Sequence, residues 1–533
     1  MQKLFSLRWL RRLLALVYFL FFVFIFVDFS HTFSEGFIRG FLYPQFTPSL
    51  LKFIKVGGIF ATGFIAVSLL TLLFGRVYCS VLCPLGIFQD FIARFRIKKQ
   101  RYKYLKPLNI LRYSVLSLVI ILALSGSVFL LYTLDPYSFA GRIFSNLVRP
   151  VYYSANNVLA SILGIFNSYA LHKVDFVGVP WQGVAIVAGL TAPLIFVAWR
   201  WGRLFCNSLC PVGAFLSLIS RYSIFKLTID ENVCTVCNRC SRSCKASCID
   251  IKEKTIDFSR CVACYNCVDS CKEGGIGYKF AYSGSKTVSV TSPNPSRRNF
   301  IANFTGLMVG ASLLGKSLKS IAQGKGRGLD VSNPELGKST AGHRPNSRLA
   351  PITPPGSDNQ KDFLNACIAC HLCVTVCPTH VIQPSISQYG LLGLLQPHMD
   401  FHSGFCNFEC TLCGDICPTG AIRPLELDTK KRTQLGKAKF HMGNCIVRVD
   451  RTDCGACSEH CPTKAVHMVP WDGLLLPEVD EDICIGCGAC EYACPTTPYK
   501  AIFVNGNVNH QVAQMPKETS DDPRESDVDD FPF

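Results

Sequence analysis

Four thiolates converging on one point can hold a cubane iron–sulfur cluster, and residues 234–271 space their cysteines for two. The stretch reads CTVCNRCSRSC, a spacer, then CVACYNCVDSC, two runs of C-x2-C-x2-C-x3-C. In each run three ligands come from a tight local loop. Where two such runs occur, the fourth Cys of each serves the other run's cluster. That rule assigns one [4Fe-4S] site to Cys234, Cys237, Cys240 and Cys271, and a second to Cys261, Cys264, Cys267 and Cys244. Cys248 is left over, and a free thiol is preferred to an alternative ligand.

Four more tetrads follow: Cys367, Cys370, Cys373, Cys377; Cys406, Cys410, Cys413, Cys417; Cys445, Cys454, Cys457, Cys461; and Cys484, Cys487, Cys490, Cys494. Each ends in Pro, and the second and third displace their first Cys. Zinc usually takes two separated pairs and has no use for this repeated run, so iron–sulfur ligation is favoured. Residues 367–371 match the C-x-x-C-H haem pattern, but a haem there would orphan Cys373 and Cys377.

A different motif occurs twice earlier. Residues 75–86, GRVYCSVLCPLG, align with residues 202–213, GRLFCNSLCPVG. Such self-similarity is the mark of a duplicated unit. On one helix, Cys79 and Cys83 would face the same way one turn apart, as would Cys206 and Cys210. They are either small buried side chains at a helix end or a metal, cluster or redox-thiol site across a pseudo-symmetry axis.

These motifs need elements to hold them. The chain has 533 residues, 29 Cys and a net charge of +17. Apolar stretches at residues 13–29, 56–74, 111–134 and 183–199 are long enough to span a bilayer. Basic residues crowd the segments before the first, after the second and after the fourth, which the positive-inside bias places in the cytoplasm. The charge therefore reads as topology, and no nucleic-acid partner is expected. The loops at 28–55 and 135–182 fall outside, the second with a short interfacial helix at 151–165. Asp28, His31, Glu35, Asp135 and His172 lie near that outer face, and none is singled out as a quinone ligand.

Residues 296–301, SRRNFI, precede an apolar run at 304–314 and read as a twin-arginine export signal, with a faint cleavage site at 320–322 and a linker at 324–357. The expected fold is a membrane α-helical bundle of four spans, five if the export segment inserts, joined to α+β ferredoxin-like iron–sulfur domains. Its parts are a membrane domain (1–226), a cytoplasmic two-cluster domain (227–282), the signal and linker (283–361), an exported four-cluster domain (362–516) and an acidic tail (517–533).

Spans, paired C-x3-C-P motifs and two cluster runs make residues 1–282 similar to the NapH family of membrane ferredoxin-type proteins. The C-x3-C-P arrangement is shared with methylamine-utilisation and copper-oxidase accessory relatives. Residues 296–510 resemble the NapG family of exported four-cluster ferredoxins. One departure is Lys245 and Lys272 where NapH-like chains carry Pro after the fourth Cys.

The resemblance implies six [4Fe-4S] clusters and oxidation of quinol from the membrane pool, with a periplasmic c-type cytochrome or reductase as acceptor. It also implies an inner-membrane location with residues after about 322 in the periplasm. Carried over from NapG-like proteins, the outer runs would exchange ligands, Cys367, Cys370 and Cys373 with Cys494, and Cys484, Cys487 and Cys490 with Cys377. The inner runs would do likewise, Cys406, Cys410 and Cys413 with Cys461, and Cys445, Cys454 and Cys457 with Cys417. The copper-oxidase accessory relatives suggest a second reading, an electron donor for maturation or repair of another enzyme's metal centre.

Overall fold

A single helix of 21 residues, α1 (Leu7–Val27), is the spine of the N-terminal half. It carries no acidic residue, and its apolar run ends at Asp28, whose carboxylate accepts from the backbone of Ser30 and Thr32. The computed structural model describes residues 7–28, 30, 32–55, 57, 62–95, 102–168, 170–174, 181–282 and 341–514. The twin-arginine motif, the apolar run after it, the cleavage site and the acidic tail lie outside those residues.

Along the chain come α2 (Glu35–Leu42), α3 (Phe46–Lys55), α4 (Gly63–Phe74), α5 (Tyr78–Val81) and α6 (Pro84–Ile92). Then follow α7 (Asn109–Leu124), α8 (Phe129–Leu134), α9 (Pro136–Ile143), a π turn (Phe144–Val148), α10 (Arg149–Ile165), α11 (Trp181–Trp201), α12 (Leu204–Ser208) and α13 (Pro211–Ser220). Among the described residues two helices, α1 and α11, are long and apolar enough to cross a membrane, by length and composition.

Two of the four expected spans differ. The helix in the second stretch, α4, has 12 residues, about 18 Å at 1.5 Å per residue. The third is broken: Ser125 and Gly126 (φ +86°) stop α7, and the chain restarts as α8. Only glycine enters that left-handed region at little cost. The expected outer loops are also helical. Residues 28–55 hold α2 and α3, and residues 135–182 hold α9, the π turn and α10. Asp135 is not a loop residue on the surface. It is fully buried, caps α9 by accepting from the Ser138 backbone at 2.8 Å, and is hydrogen-bonded to Thr47.

After α13, β1 (Phe225–Ile229) and the last strand of the module, Ile276–Phe280, pair antiparallel with Leu227 opposite Tyr278. Between them lie a two-residue hairpin, Ile249–Asp250 with Thr255–Ile256, and two one-turn helices, Arg239–Ser243 and Asn266–Ser270. So little regular structure leaves the cluster loops to supply much of the interior.

The described residues fall into two compact units. One draws on Met1–Gly328, Gln360–His398 and Leu412–Pro424, the other on Leu329–Asn359, Met399–Thr411 and Leu425–Phe533. The expected 362–516 domain is thus divided: its first cysteine run belongs to the unit built on α1. In the second unit, Thr433–Phe440 pairs with Ile502–Val512, and Val466–Trp471 with Leu474–Val479. The latter hairpin turns at Asp472-Gly473, both with positive φ, as a two-residue hairpin turn requires. The end of the expected linker is packed there too. Ala341, Ile352 and Ser357 are buried, Asn346 donates to the Lys500 carbonyl at 2.9 Å, and Arg348 is paired with buried Glu491.

Candidate iron–sulfur and thiol centres

In the first module, Cys234, Cys237, Cys240 and Cys271 line one cavity of about 360 Å³. Cys244, Cys261, Cys264 and Cys267 line another of about 310 Å³, and Cys248 lines it with them. The fifth thiol is not remote: its Sγ lies 3.5 Å from that of Cys244, and this hydrogen bond pulls the Cys244 thiol down to about 7.

Four runs share one backbone device. The residues flanking the middle Cys of C-x2-C-x2-C have positive φ: Val236 and Asn238 around Cys237, Ala263 and Tyr265 around Cys264, Ala369 and His371 around Cys370, Gly486 and Gly488 around Cys487. Left-handed residues on both sides wrap the loop around a point, and the cost of placing Val, Tyr and His there has to be met by what the loop encloses. Burial pushes the Cys370, Cys457 and Cys487 thiols up to about 12. A metal–sulfur cluster bound there would hold them as thiolates instead. The residues fit that group. Among the described residues, no set of three or more His, Cys, Asp or Glu is arranged around a single ion.

Ligand exchange in the C-terminal half is corrected by the structure. Cys445, Cys454, Cys457 and Cys494 line one cavity of about 340 Å³. Cys461 faces Cys484 and Cys490 instead of the Cys406 run, and Cys417 faces Cys367 and Cys373 instead of the Cys445 run. The fourth ligand therefore comes from a neighbouring run, as it does at residues 234–271, where the short helices of adjacent runs pack on each other. Of the remaining cysteines, Cys377 and Cys413 belong to the unit built on α1, and Cys406 and Cys410 to the other.

His371 is an ordinary core residue. Its ring is hydrogen-bonded at Nδ1 to Asn146 (2.8 Å) and at Nε2 to the Leu395 carbonyl (2.8 Å). Burial pushes it down to about 3, so it is neutral, donating from Nε2 and accepting at Nδ1. Neither nitrogen is left for a metal.

The C-x3-C-P copies do come together. Each pair does not share one helix, as the spacing suggested: Pro84 and Pro211 end one helix and start the next, leaving Cys83 and Cys210 as N-caps. Their sulfurs accept from Gly86 N at 3.4 Å and Gly213 N at 3.3 Å. The Cys83 thiol senses Cys79 and Cys206, and Cys210 senses all three others. The arginine of each copy reaches into the other: Arg76 donates to the Cys206 carbonyl (3.3 Å), Arg203 to that of Cys79 (2.6 Å). Gly86 and Gly213 make room for these crossings. A Cβ on Gly86 would meet the Cys79 carbonyl at 2.6 Å and the Arg203 guanidinium at 2.4 Å. We expect Gly86→Ala to lower the melting temperature of the detergent-solubilised protein, with a loss of about 1–3 kcal/mol, the usual cost of overpacking.

Charge around these thiols is lopsided. Asp90 pairs with Arg203 at 2.9 Å, Lys245 at 3.1 Å and Arg11 at 3.7 Å. Burial would raise its carboxyl, but Arg203 and Lys245 hold it well below the usual carboxylate range. Arg76 is fully buried and has no carboxylate partner among the described residues. It is hydrogen-bonded to Asn207, the Ser259 carbonyl and the Cys79 sulfur (3.8 Å). Four cations thus face one carboxylate, and such an excess needs an anion. Thiolates, bare or bound to a cluster, would supply it. Asp90 and its neighbour Gln89 were missed from sequence because Ser217 and Leu216 replace them in the second copy.

These centres line up within the unit built on α1. At its start, Arg8 pairs with Asp269 of the 234–271 module at 3.1 Å. That module also meets the C-x3-C-P thiols, through Arg203 N to the Lys245 carbonyl (3.1 Å) and Asn207 Nδ2 to the Ala246 carbonyl (3.2 Å). Midway along α1, Tyr18 accepts from Gln45 (2.7 Å), and Gln45 accepts from Tyr78 beside Cys83 (2.9 Å). Near its end, Phe26 packs on Tyr137, whose buried hydroxyl has no oxygen or nitrogen partner among the described residues and faces Cys370. Gly141 lets the Cys370 carbonyl approach within 2.4 Å of where a Cβ would sit.

Comparison with known proteins agrees with this chemistry. A 4Fe-4S binding domain model matches residues 56–103 and 182–229, the two C-x3-C-P copies, and a 4Fe-4S dicluster domain model matches 366–421 and 450–498. An uncharacterised protein of Methanocaldococcus jannaschii is 29% identical over 232 residues, 41% of this chain and 73% of its own length. The ferredoxin-type protein NapF of Escherichia coli is 26% identical over 25% of this chain and 74% of its own. The methylamine utilization ferredoxin-type protein MauN of Methylobacillus flagellatus is 26% identical over 37% and 55%. No solved structure matches. The chain carries 4Fe-4S ferredoxin-type domains, is homologous to these ferredoxin-type proteins, and functions in iron–sulfur electron transfer.

Proposed function

We propose that this protein takes electrons from quinol in a membrane and passes them through six [4Fe-4S] clusters, by way of the C-x3-C-P thiols, to an exported cytochrome or reductase. The observation that carries this reading is the placement of cysteine centres along α1. The 234–271 module touches its start and Cys370 lies near its end, 18 residues on from Arg8, about 27 Å at 1.5 Å per residue. That length is close to the thickness of a bilayer's hydrocarbon core, about 30 Å. A cytoplasmic two-cluster module, a buried thiol centre and an outward-facing cluster would form one conduit, with the Tyr18, Gln45, Tyr78 and Tyr137 side chains between the last two.

In domain order the chain is a NapH-like unit joined to a NapG-like unit, and the twin-arginine segment between them would carry the second half across. The clusters, when bound, supply one-electron chemistry. The protein's own residues space them, exclude water and set their charge, as Arg76 and Lys245 do beside the thiol centre.

The test is anaerobic addition of a menaquinol analogue to membranes holding the protein, with cluster reduction followed by EPR. Rapid reduction that a quinone-site inhibitor blocks is the expected result. Clusters that form, accept electrons from a cytosolic donor and ignore quinol would overturn it and favour the maturation reading.

A further inference from the structure

A cavity of about 320 Å³ lies where the membrane helices meet the 234–271 module, and none of its walls belongs to a cysteine ligand. One wall is apolar: Leu105, Leu108, Trp201 and Leu204. Leu108 precedes α7 and Trp201 ends α11, so the cavity opens between the ends of two apolar helices. Leu108 is half exposed there. The rest of the lining is mostly polar, with Ser247 and Arg260 contributed by the cluster side. Arg260 is almost fully buried, is held by Asp257 at 2.5 Å, and donates through Nη1 to the Leu105 carbonyl at 2.7 Å. Among the described residues its Nη2 is buried with no partner. A buried guanidinium nitrogen left without an acceptor costs free energy that a bound oxygen would recover.

The floor is redox-active by position. Ala246 lines this cavity and also the cavity of Cys244, Cys261, Cys264 and Cys267. One residue therefore separates the two spaces. Asn207 lines the cavity too, and its amide joins that Ala246 carbonyl to Arg76 of the thiol centre. The strap that closes the cavity is fastened to the cluster loop, with Leu105 N bonded to the Ser247 carbonyl at 3.2 Å.

From these features we infer that the cavity bounded by Leu105, Leu108, Trp201, Leu204 and Arg260 is the quinol headgroup site, its ring against the apolar wall and one oxygen on Arg260 Nη2. The inference rests on the quinol-oxidation reading above and adds the site to it. The isoprenoid tail leaves past Leu108 towards lipid. In turnover both O–H bonds of the hydroquinone break. A cluster held by Cys244, Cys261, Cys264 and Cys267 behind Ala246 would take the two electrons one at a time, and the two protons would leave to water on the side where Lys106 stands exposed. The quinone product then departs the way the quinol came.

Menadiol and menadione, the reduced and oxidised forms of one soluble headgroup, test this on the full cluster-loaded chain. Menadione is expected to quench Trp201, seen as fluorescence quenching that Trp201→Phe removes. Leu204→Phe, which fills the apolar wall, is expected to slow cluster reduction by menadiol at least tenfold, with iron content and the dithionite-reduced EPR spectrum unchanged. Arg260→Lys keeps a cation for Asp257 and should raise the half-saturating menadiol concentration several-fold. Unaltered reduction rates in both Leu204→Phe and Arg260→Lys would overturn the site while leaving quinol oxidation standing. Quenching of Trp201 without any cluster reduction would keep the site and sink the oxidation reading. An absence of quenching together with normal reduction would move the quinol elsewhere.

Discussion

Cys367→Ser and Cys417→Ser are expected to remove the same cluster, so the double variant should lose about four irons per chain, no more than either single change. Cys367→Ser with Cys494→Ser should lose about eight. The two sums differ because Cys417 faces Cys367 and Cys373, whereas Cys494 shares a cavity with Cys445, Cys454 and Cys457. Exchange between outer runs, as the NapG resemblance implied, would reverse the outcome: the first pair additive, the second not. Iron and acid-labile sulfide measured on anaerobically purified protein decide between them. Serine is the useful substitution, since it preserves volume while removing the soft ligand. Each single variant also has to leave the other clusters' EPR signals in place, which guards against wholesale unfolding.

The second large effect is expected at Asp90. Asp90→Asn would leave Arg203, Lys245 and Arg11 without their shared carboxylate, next to an Arg76 that already lacks one. Breaking a buried pair by removing one partner typically costs about 3–5 kcal/mol. Thermal unfolding of the detergent-solubilised protein should show a drop of that order. Arg203→Met made together with Asp90→Asn should recover part of it, because the stranded guanidinium goes with the carboxylate. An Asp90→Asn protein as stable as the parent would mean that the thiols already carry enough negative charge to hold all four cations.

Local chemistry was legible from sequence, and tertiary exchange was not. A C-x2-C-x2-C run is a statement about one loop, and each such loop was found where its spacing put it, with left-handed residues around Cys237, Cys264, Cys370 and Cys487. The fourth ligand is a statement about which loops pack together, and there the resemblance pointed to the wrong partners for Cys417, Cys461 and Cys494. Hydropathy alone also missed the break at Gly126, because a single positive φ leaves the local average nearly unchanged. Asp135 reads as an ordinary loop residue in the sequence, yet it is buried as a helix cap. Its neighbours Thr47 and Ser138 satisfy its oxygens, and one of them is 88 positions away.

The crossed arginines carry a consequence for the origin of this architecture. Arg76 grips the carbonyl of Cys206, and Arg203 that of Cys79. A single copy of the repeat would therefore hold a fastener with nothing to fasten. Each copy is completed by the other. A chain with one copy would have to pair with a second chain to complete the site. Fusion made the two halves free to diverge, and Asp90 and Gln89 beside Ser217 and Leu216 mark where they did. What began as a site with no front or back now has one side that meets the 234–271 module through Lys245 and another that leads to Cys370.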